Sequence, residues 1–411
     1  MMDVIIVGAG PAGATLALLL ARHGARVRLA EREPSAGGVF RGEGLMPLGL
    51  DALRQAGLGD LVTRIPQRTV ERWRIWIDGH EVLTIPEPVT QLGDLAFRVA
   101  SPAALLDGII DQARAYPGFA FHPATRFADV LGDGRGRVTG ARMVTTDGAQ
   151  DWDADLVIGC DGRGSSVRTK SGLDLERAPE SYDVLWFKAP PPVPARDGCD
   201  FHIMVRSGHH PLVAYTSWDD LLQCGLIMPK DGLAALRGDD WPDIAIASAP
   251  DELARHLLAH RQQLEGPVRL NVLVGRAASW STPGVLLLGD AAHPMSPVRA
   301  QGINLALRDA IVTANHLVPL ASGASPDPAA IDTACHAVQA EREPEITRAQ
   351  QLQRREARGQ GDARSASWRY RLAKRGAAFL GGYPWAQRAW LNRQHELRFG
   401  STPVTLNSPT G

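Results

Sequence analysis

Two widely separated stretches of this 411-residue chain carry residues whose types and spacing could do chemistry. In VIIVGAGPAG (4–13), Gly8, Gly10 and Gly13 fall in a GxGxxG spacing after an apolar run, with Ala12 inside it. Gly8 permits a tight turn, Gly10 lets backbone approach a pyrophosphate, and Gly13 lets a following helix pack closely on a sheet. The N-terminus of that helix offers N–H groups and partial positive charge to phosphates. Glu31 ends the next apolar run, about 20 residues on, where a carboxylate accepts hydrogen bonds from ribose hydroxyls, and Arg32 follows it. An acid at 31 speaks against a 2′-phosphate, so the pattern predicts FAD or NAD rather than NADP. The second stretch is LLLGDAAHPMSPVRAQGINLALRDA (286–310), in which Asp290 follows an apolar run and Gly302, Ile303 and Asn304 open a helix. A third, ADLVIGCDGRGSSVR (154–168), sets Asp161 and Gly162 after a strand, with Arg168 beyond.

The elements that must position these residues follow from periodicity. DVIIVGAGPAGATLALLLARHGARVRLAE reads as strand, turn, helix, strand, a βαβ opening. PLGLDALRQAGL (47–58) predicts a helix closed by Gly57, and SPAALLDGIIDQARA (101–115) a helix capped by Ser101. RWRIWIDGHEVLTI (72–85) predicts a hairpin turning at Asp78-Gly79, and GRVTGARMVTTDGAQ (136–150) another at Asp147-Gly148. Between 181 and 230, short strands split by Gly/Pro turns predict an antiparallel sheet. GVLLLGD then returns to a buried strand, so the nucleotide-binding domain is discontinuous and the sheet domain is inserted into it. The expected division is 1–70, 96–180 and 280–340 for the nucleotide-binding parts. A substrate-domain hairpin takes 71–95, the main substrate domain 181–279, and a C-terminal helical region 341–411.

Composition bounds the function class. Hydrophobic residues make up 44% of the chain and charged residues 22%, as in a soluble globular protein, and the net charge of −1 gives no general pull toward nucleic acid. Four scattered cysteines without a CxxC or zinc spacing predict reduced thiols, a cytoplasmic location and no metal site. Residues 4–20 are interrupted by glycine and proline, and read as neither a signal peptide nor a span. The basic segment WRYRLAKRGAAFL (368–380) is a candidate membrane-surface or partner contact, with a solvated helix face as the blander reading.

The three motifs together resemble the single-component (group A) FAD-dependent monooxygenases, the family of p-hydroxybenzoate hydroxylase. The resemblance runs from residue 2 to about 315. It implies an α/β fold, with a Rossmann-like FAD-binding domain, an inserted antiparallel-sheet substrate domain and C-terminal helices. It implies FAD as cofactor and NADH or NADPH as a transient electron donor, since no second GxGxxG follows a strand. It also implies NAD(P)H-driven hydroxylation of an aromatic or other electron-rich small molecule by O2 through a C4a-hydroperoxyflavin, and commonly a homodimer. By the resemblance Asp290 meets the ribityl chain, and the backbone of Gly302, Ile303 and Asn304 faces the flavin. Pro297 lies beside the flavin at the oxygen-reaction face. Arg41 contacts FAD or gates the flavin, Arg98 holds the diphosphate or ribityl side, Val130 meets the adenine, and Asp161 stands near both FAD and the nicotinamide groove. The family commonly has glycine where this chain has Ala300.

Within the inserted sheet, Trp186, Phe187, His202, Met204, Tyr215 and Cys224 are the candidate substrate walls, with Tyr215 or His202 as a base for a phenol. His293 reads as scaffold, and Trp73 and Trp76 as hairpin packing. Two other readings stand beside hydroxylation: a same-fold flavin oxidoreductase without oxygenation (reductase or halogenase-like), and a flavin-bound partner protein without catalysis.

Overall fold

The computed structural model describes all residues except 36–41, 180–181, 193–197, 231, 233–239, 322–325, 362–382 and 408–411. Arg41 and the basic segment 368–380 therefore lie outside the described residues.

The first strand, Asp3–Val7, is apolar on both faces and is correspondingly central. It pairs in parallel with Arg26–Ala30 on one side and Leu156–Gly159 on the other. Phe119–His122 and Val285–Leu287 extend the parallel order outward, and Ser281–Thr282 closes one edge antiparallel, making six strands. Helix Pro11–Arg22 follows the first strand directly, with Pro11 at its first turn, where proline's missing N–H costs nothing. Helix Gln301–Ala321 packs against it with Ile303, Leu305, Leu307, Ile311 and Val312 buried. The two glycine-bearing turns, remote in sequence, thus end at neighbouring helices.

A nine-stranded sheet forms the second layer, running from Glu265–Leu270 through Tyr182–Ala189, Leu222–Pro229, Leu212–Thr216, Gly198–Val205 and Gln67–Ile77 to Arg98–Ala100 and Gly44–Leu45. His80–Pro86 pairs with Gln67–Ile77 through a turn at Asp78 and Gly79, both with positive φ, as the Asp-Gly pair predicts. Pairing is antiparallel except between Gly198–Val205 and Gln67–Ile77, which run parallel because a long excursion through the other domain separates them. The sheet also recruits Gly44–Leu45 and Arg98–Ala100, outside the stretches that the sequence assigned to it. Alternation splits its residues between two cores. One face joins the main core; the other packs Leu185, Phe187, Met204, Ala214, Cys224 and Leu226 under Trp241, Ala245 and Leu257 of helices Trp241–Ser248 and Asp251–Ala259. Among the described residues no helix is long and apolar enough to cross a membrane.

Candidate active site

A cavity of about 570 Å³ runs between the two layers. It is lined by Gly10, Pro11 and Ala12 of the first turn, by Asp290, Pro297, Gly302 and Ile303 of the second, and by Trp186, Phe201, Ile203, Val213 and Tyr215 of the large sheet.

Each glycine of the first turn meets a different steric demand. A side chain on Gly13 would stand 2.0 Å from the Gly8 carbonyl, and one on Gly8, whose φ is +103°, would stand 2.4 Å from the Cys160 carbonyl. Gly10 has nothing within 4 Å of its would-be Cβ, so the backbone there is open to the cavity. Glu31 braces the turn from beneath: one carboxylate oxygen accepts from the Ala9 N–H at 2.8 Å and the other from Glu33 N–H at 3.0 Å.

The second turn is held by buried charges on both sides. Asp309 accepts from the Gly289 N–H at 3.1 Å, His293 Nε2 lies 2.7 Å from the same oxygen, and Arg342 donates to the other at 2.8 Å. Burial pushes the Asp309 carboxyl up, but His293 and Arg342 outweigh it and hold it below the usual range. From the other flank, Arg168 donates to the Ala291 carbonyl at 2.7 Å. His293 is thus scaffold, its ring committed to Asp309. Asp290 is left with its carboxylate facing the cavity, 3.8 Å from the Arg163 guanidinium; burial raises its pKa and Arg163 opposes the rise.

Beyond it, Arg299 and Ala300 adopt positive φ, +61° and +52°, the left-handed region that glycine takes without strain. The position where alanine replaces the family's glycine is therefore left-handed here. The strained turn is held by Arg299, whose guanidinium lies over Trp73 at 4.7 Å and Trp390 at 4.6 Å and donates to Glu356 at 3.2 Å. Helix Gln301–Ala321 then starts at the cavity, presenting Gly302 and Ile303. The Asn304 side chain is turned away: it accepts from the Met46 N–H at 2.9 Å and donates to the Gly44 carbonyl at 3.0 Å, tying the helix to strand Gly44–Leu45.

These residues fit a dinucleotide: an open glycine and two helix N-termini border one cavity, with a cavity-facing carboxylate between them. A model of the FAD binding domain family matches residues 1–349, well over half of the chain. The chain belongs to this family of FAD-dependent monooxygenases. It is 36% identical to the 6-methylpretetramide 4-monooxygenase of Streptomyces rimosus over 320 residues, covering 75% of this chain and 73% of the relative. It is 32% identical to a kynurenine 3-monooxygenase of Salinispora arenicola over 346 residues, covering 75% and 71%. In structure it is similar to the p-nitrophenol 4-monooxygenase PnpA of Pseudomonas putida, with a TM-score of 0.78 at 17% identity, over 98% of this chain and 100% of that one. At that identity the likeness speaks for the fold alone.

Several family positions are occupied differently from the sequence expectation. The Asp161 carboxylate does not face the cavity; it accepts from Ser165 Oγ at 2.5 Å and from the backbone N–H of Ser166 and Val167, capping the short helix Ser166–Lys170. Its neighbours Cys160, Gly162 and Arg163 line the cavity instead. Arg98 is buried and paired with Asp94 at 3.6 Å, while Val99 beside it lines the cavity. Its Nε has no hydrogen-bond partner among the described residues. Arg32 is exposed and paired with Glu33. Val130 sits half-buried in strand Arg126–Gly132 and does not line the cavity.

The substrate-wall candidates divide by strand face. Trp186 and Tyr215 line the cavity. His202, Met204 and Cys224, with Phe187, do not: they project to the opposite face, where Met204 and Cys224 pack under the two covering helices. His202 accepts from Trp76 Nε1 at 3.1 Å, and burial holds its pKa down to about 4. It is a neutral packing partner on the wrong side of the sheet for a base. Tyr215 stacks on Phe201, ring centroids 5.1 Å apart, and Gly225 leaves room for the Trp186 ring, which a side chain there would meet at 2.7 Å.

Glu43, a second carboxylate in the cavity lining beside Asp290, carries no signal in the sequence. Glu43 accepts from Ser217 Oγ at 2.8 Å and from Tyr215 Oη at 3.2 Å, both on Oε2. Burial raises its pKa, and the Tyr215 hydroxyl is pushed well above its ordinary value by burial and by the carboxylate beside it. Glu43 lies in a short glycine-flanked loop with no periodicity, and only its neighbour Arg41 matched a known position.

Proposed function

We propose that the chain hydroxylates an aromatic small molecule, using O2 and electrons from NADH or NADPH. The observation that supports this reading is the single cavity bordered by both glycine turns and floored by an aromatic sheet face. When bound, FAD supplies hydride acceptance and oxygen activation. The chain's own residues do the rest. Gly10 and the start of helix Pro11–Arg22 would hold the pyrophosphate, and Asp290 would accept hydrogen bonds from the ribityl hydroxyls. The N–H groups at the start of helix Gln301–Ala321, which lines the cavity with Pro297, would favour negative charge on the bound ring system. The apolar faces of Trp186, Phe201, Ile203 and Val213 orient the substrate and exclude water, which suppresses wasteful loss of reduced oxygen. Tyr215 cannot act as a free base, because its own proton is held by burial and by Glu43. It orients a substrate hydroxyl by accepting a hydrogen bond while donating its own to the carboxylate.

Among the relatives, a 6-methylpretetramide 4-monooxygenase and a 3-hydroxybenzoate 6-hydroxylase are named for oxygenating aromatic molecules, which favours an aromatic substrate here. The test is NAD(P)H-dependent oxygen uptake across a panel of phenols, polyketide-like aromatics and indoles, with product mass read in parallel. A gain of one oxygen atom, matched to NAD(P)H consumed, supports the reading. Rapid NAD(P)H oxidation that yields only hydrogen peroxide with every ring tested would contradict it.

A further inference from the structure

Glu43 is fixed more firmly than a loop acid needs to be. Its backbone carbonyl accepts from the Ala100 N–H at 2.9 Å, which ties it to strand Arg98–Ala100. Its carboxylate is tied to the far side of the cavity through Tyr215 and Ser217. Both of those donors go to Oε2; among the described residues Oε1 accepts from none. Next to it, Gly44 packs under Ala300, so Glu43 stands where the flavin-side turn meets the aromatic sheet face. Among the described residues, Lys188 of strand Tyr182–Ala189 acts on the Glu43 carboxylate, and it is itself paired with Asp219. The negative charge of that aspartate offsets what Lys188 would contribute. Glu43 is therefore an anchored acceptor in a largely aromatic and aliphatic cavity that Arg163, Arg269 and Arg299 also line, with one oxygen uncommitted among the described residues.

We infer that Glu43 determines specificity: it receives a hydrogen bond from a hydroxyl or N–H on a neutral aromatic ring and turns away rings carrying a carboxylate at that edge. A carboxylate acceptor in a water-poor cavity strengthens a hydrogen bond to a neutral donor and repels an anion, both more than the same group would in water. Tyr215 and Ser217 hold the acceptor in place and fill its other oxygen, so the incoming group meets Oε1. The inference rests on the proposed aromatic hydroxylase reading and adds to it the chemistry of the recognised edge.

The test uses the FAD-loaded protein and two ligands of one shape, 3-hydroxybenzyl alcohol and 3-hydroxybenzoate. Dissociation constants are read from the flavin absorbance change and, independently, by calorimetry. The wild type is expected to bind the alcohol at least ten-fold more tightly. Glu43→Gln, which keeps size and removes charge, is expected to cut that ratio at least ten-fold, chiefly by improving the carboxylate ligand. Ser217→Ala, which keeps the charge and removes one of the two donors that hold it, is expected to leave the alcohol the tighter ligand, and FAD uptake by each variant is the check on general damage to the loop. Equal binding of the two ligands by the wild type, an unchanged ratio in Glu43→Gln, or uptake of FAD with neither ligand bound overturns the inference. FAD uptake and phenol-dependent NAD(P)H oxidation are measured in the same preparations. If those succeed and the ratio does not move, only the Glu43 assignment fails; if they fail, the functional reading falls and takes this inference with it.

Discussion

The first turn and the large sheet both border the cavity, yet they hold it by opposite means. At Gly8–Gly13 the backbone is the working part: contacts of 2.0 and 2.4 Å would meet any added Cβ, and one open glycine admits a ligand. On the sheet the side chains are the working part, and the backbone is an ordinary ladder. A site made of backbone tolerates almost no change in residue type, whereas a site made of side chains tolerates change on one face and not the other. The difference separates what binds the shared cofactor from what sets a particular substrate.

Substitutions probe that contrast in descending order of effect. Gly13→Val drives a side chain into the Gly8 carbonyl. It should cost about 4 kcal/mol or more and abolish FAD binding, as seen in soluble yield, circular dichroism and flavin retention. On the sheet, Met204→Ala and Ile203→Ala are neighbours with opposite destinations. Met204→Ala empties the closed face and should cost about 2–4 kcal/mol in denaturant unfolding, with substrate KM unchanged. Ile203→Ala should cost less stability and shift KM. Equal effects on both quantities would mean that the two faces are not separate. Asp290→Ala should weaken FAD binding by about 1–3 kcal/mol, the loss of a charged acceptor, and leave thermal stability of the FAD-free protein nearly intact.

The smallest effect is one of pH. His202 is neutral in the folded chain down to about pH 4, while in the unfolded chain it takes up its proton near the ordinary histidine value. Its folded pKa lies below its unfolded one, so the unfolded state binds the extra proton and stability falls as pH drops from about 6.5 toward 4. Half-burial reduces the effect to about 1 kcal/mol. His202→Asn should flatten that part of the stability–pH curve, measured by denaturant midpoints at pH 7 and 5.

The same contrast explains what was legible in the sequence. The Gly8, Gly10, Gly13 and Glu31 pattern and the Asp290 to Asn304 stretch are local, because tight turns and helix starts demand particular residues at fixed offsets. The sheet offered only alternation. Period two places His202 with Met204 and Phe201 with Ile203, but it does not say which pair faces the cavity. That is decided by helices Trp241–Ser248 and Asp251–Ala259, which cover one face from a distant part of the chain. Alternation alone therefore does not separate Trp186 and Tyr215 from His202, Met204 and Cys224, although they lie on opposite sides. Asp161 was legible as a strand-end acid, yet the Ser165-Ser166-Val167 sequence behind it supplies the donors that claim its carboxylate. Glu43 left no trace at all, since its role comes from Tyr215 and Ser217, more than 170 residues away.

The central claim is that the two turns grip opposite ends of one FAD. A calorimetric titration of the flavin-free chain with FAD and, separately, with FMN tests it most directly, because FMN has the ring system and ribityl chain but lacks the adenosine half. The expected result is one FAD per chain, with FMN binding at least a hundred-fold more weakly. Equal affinity for the two flavins, or no uptake of either, would contradict it.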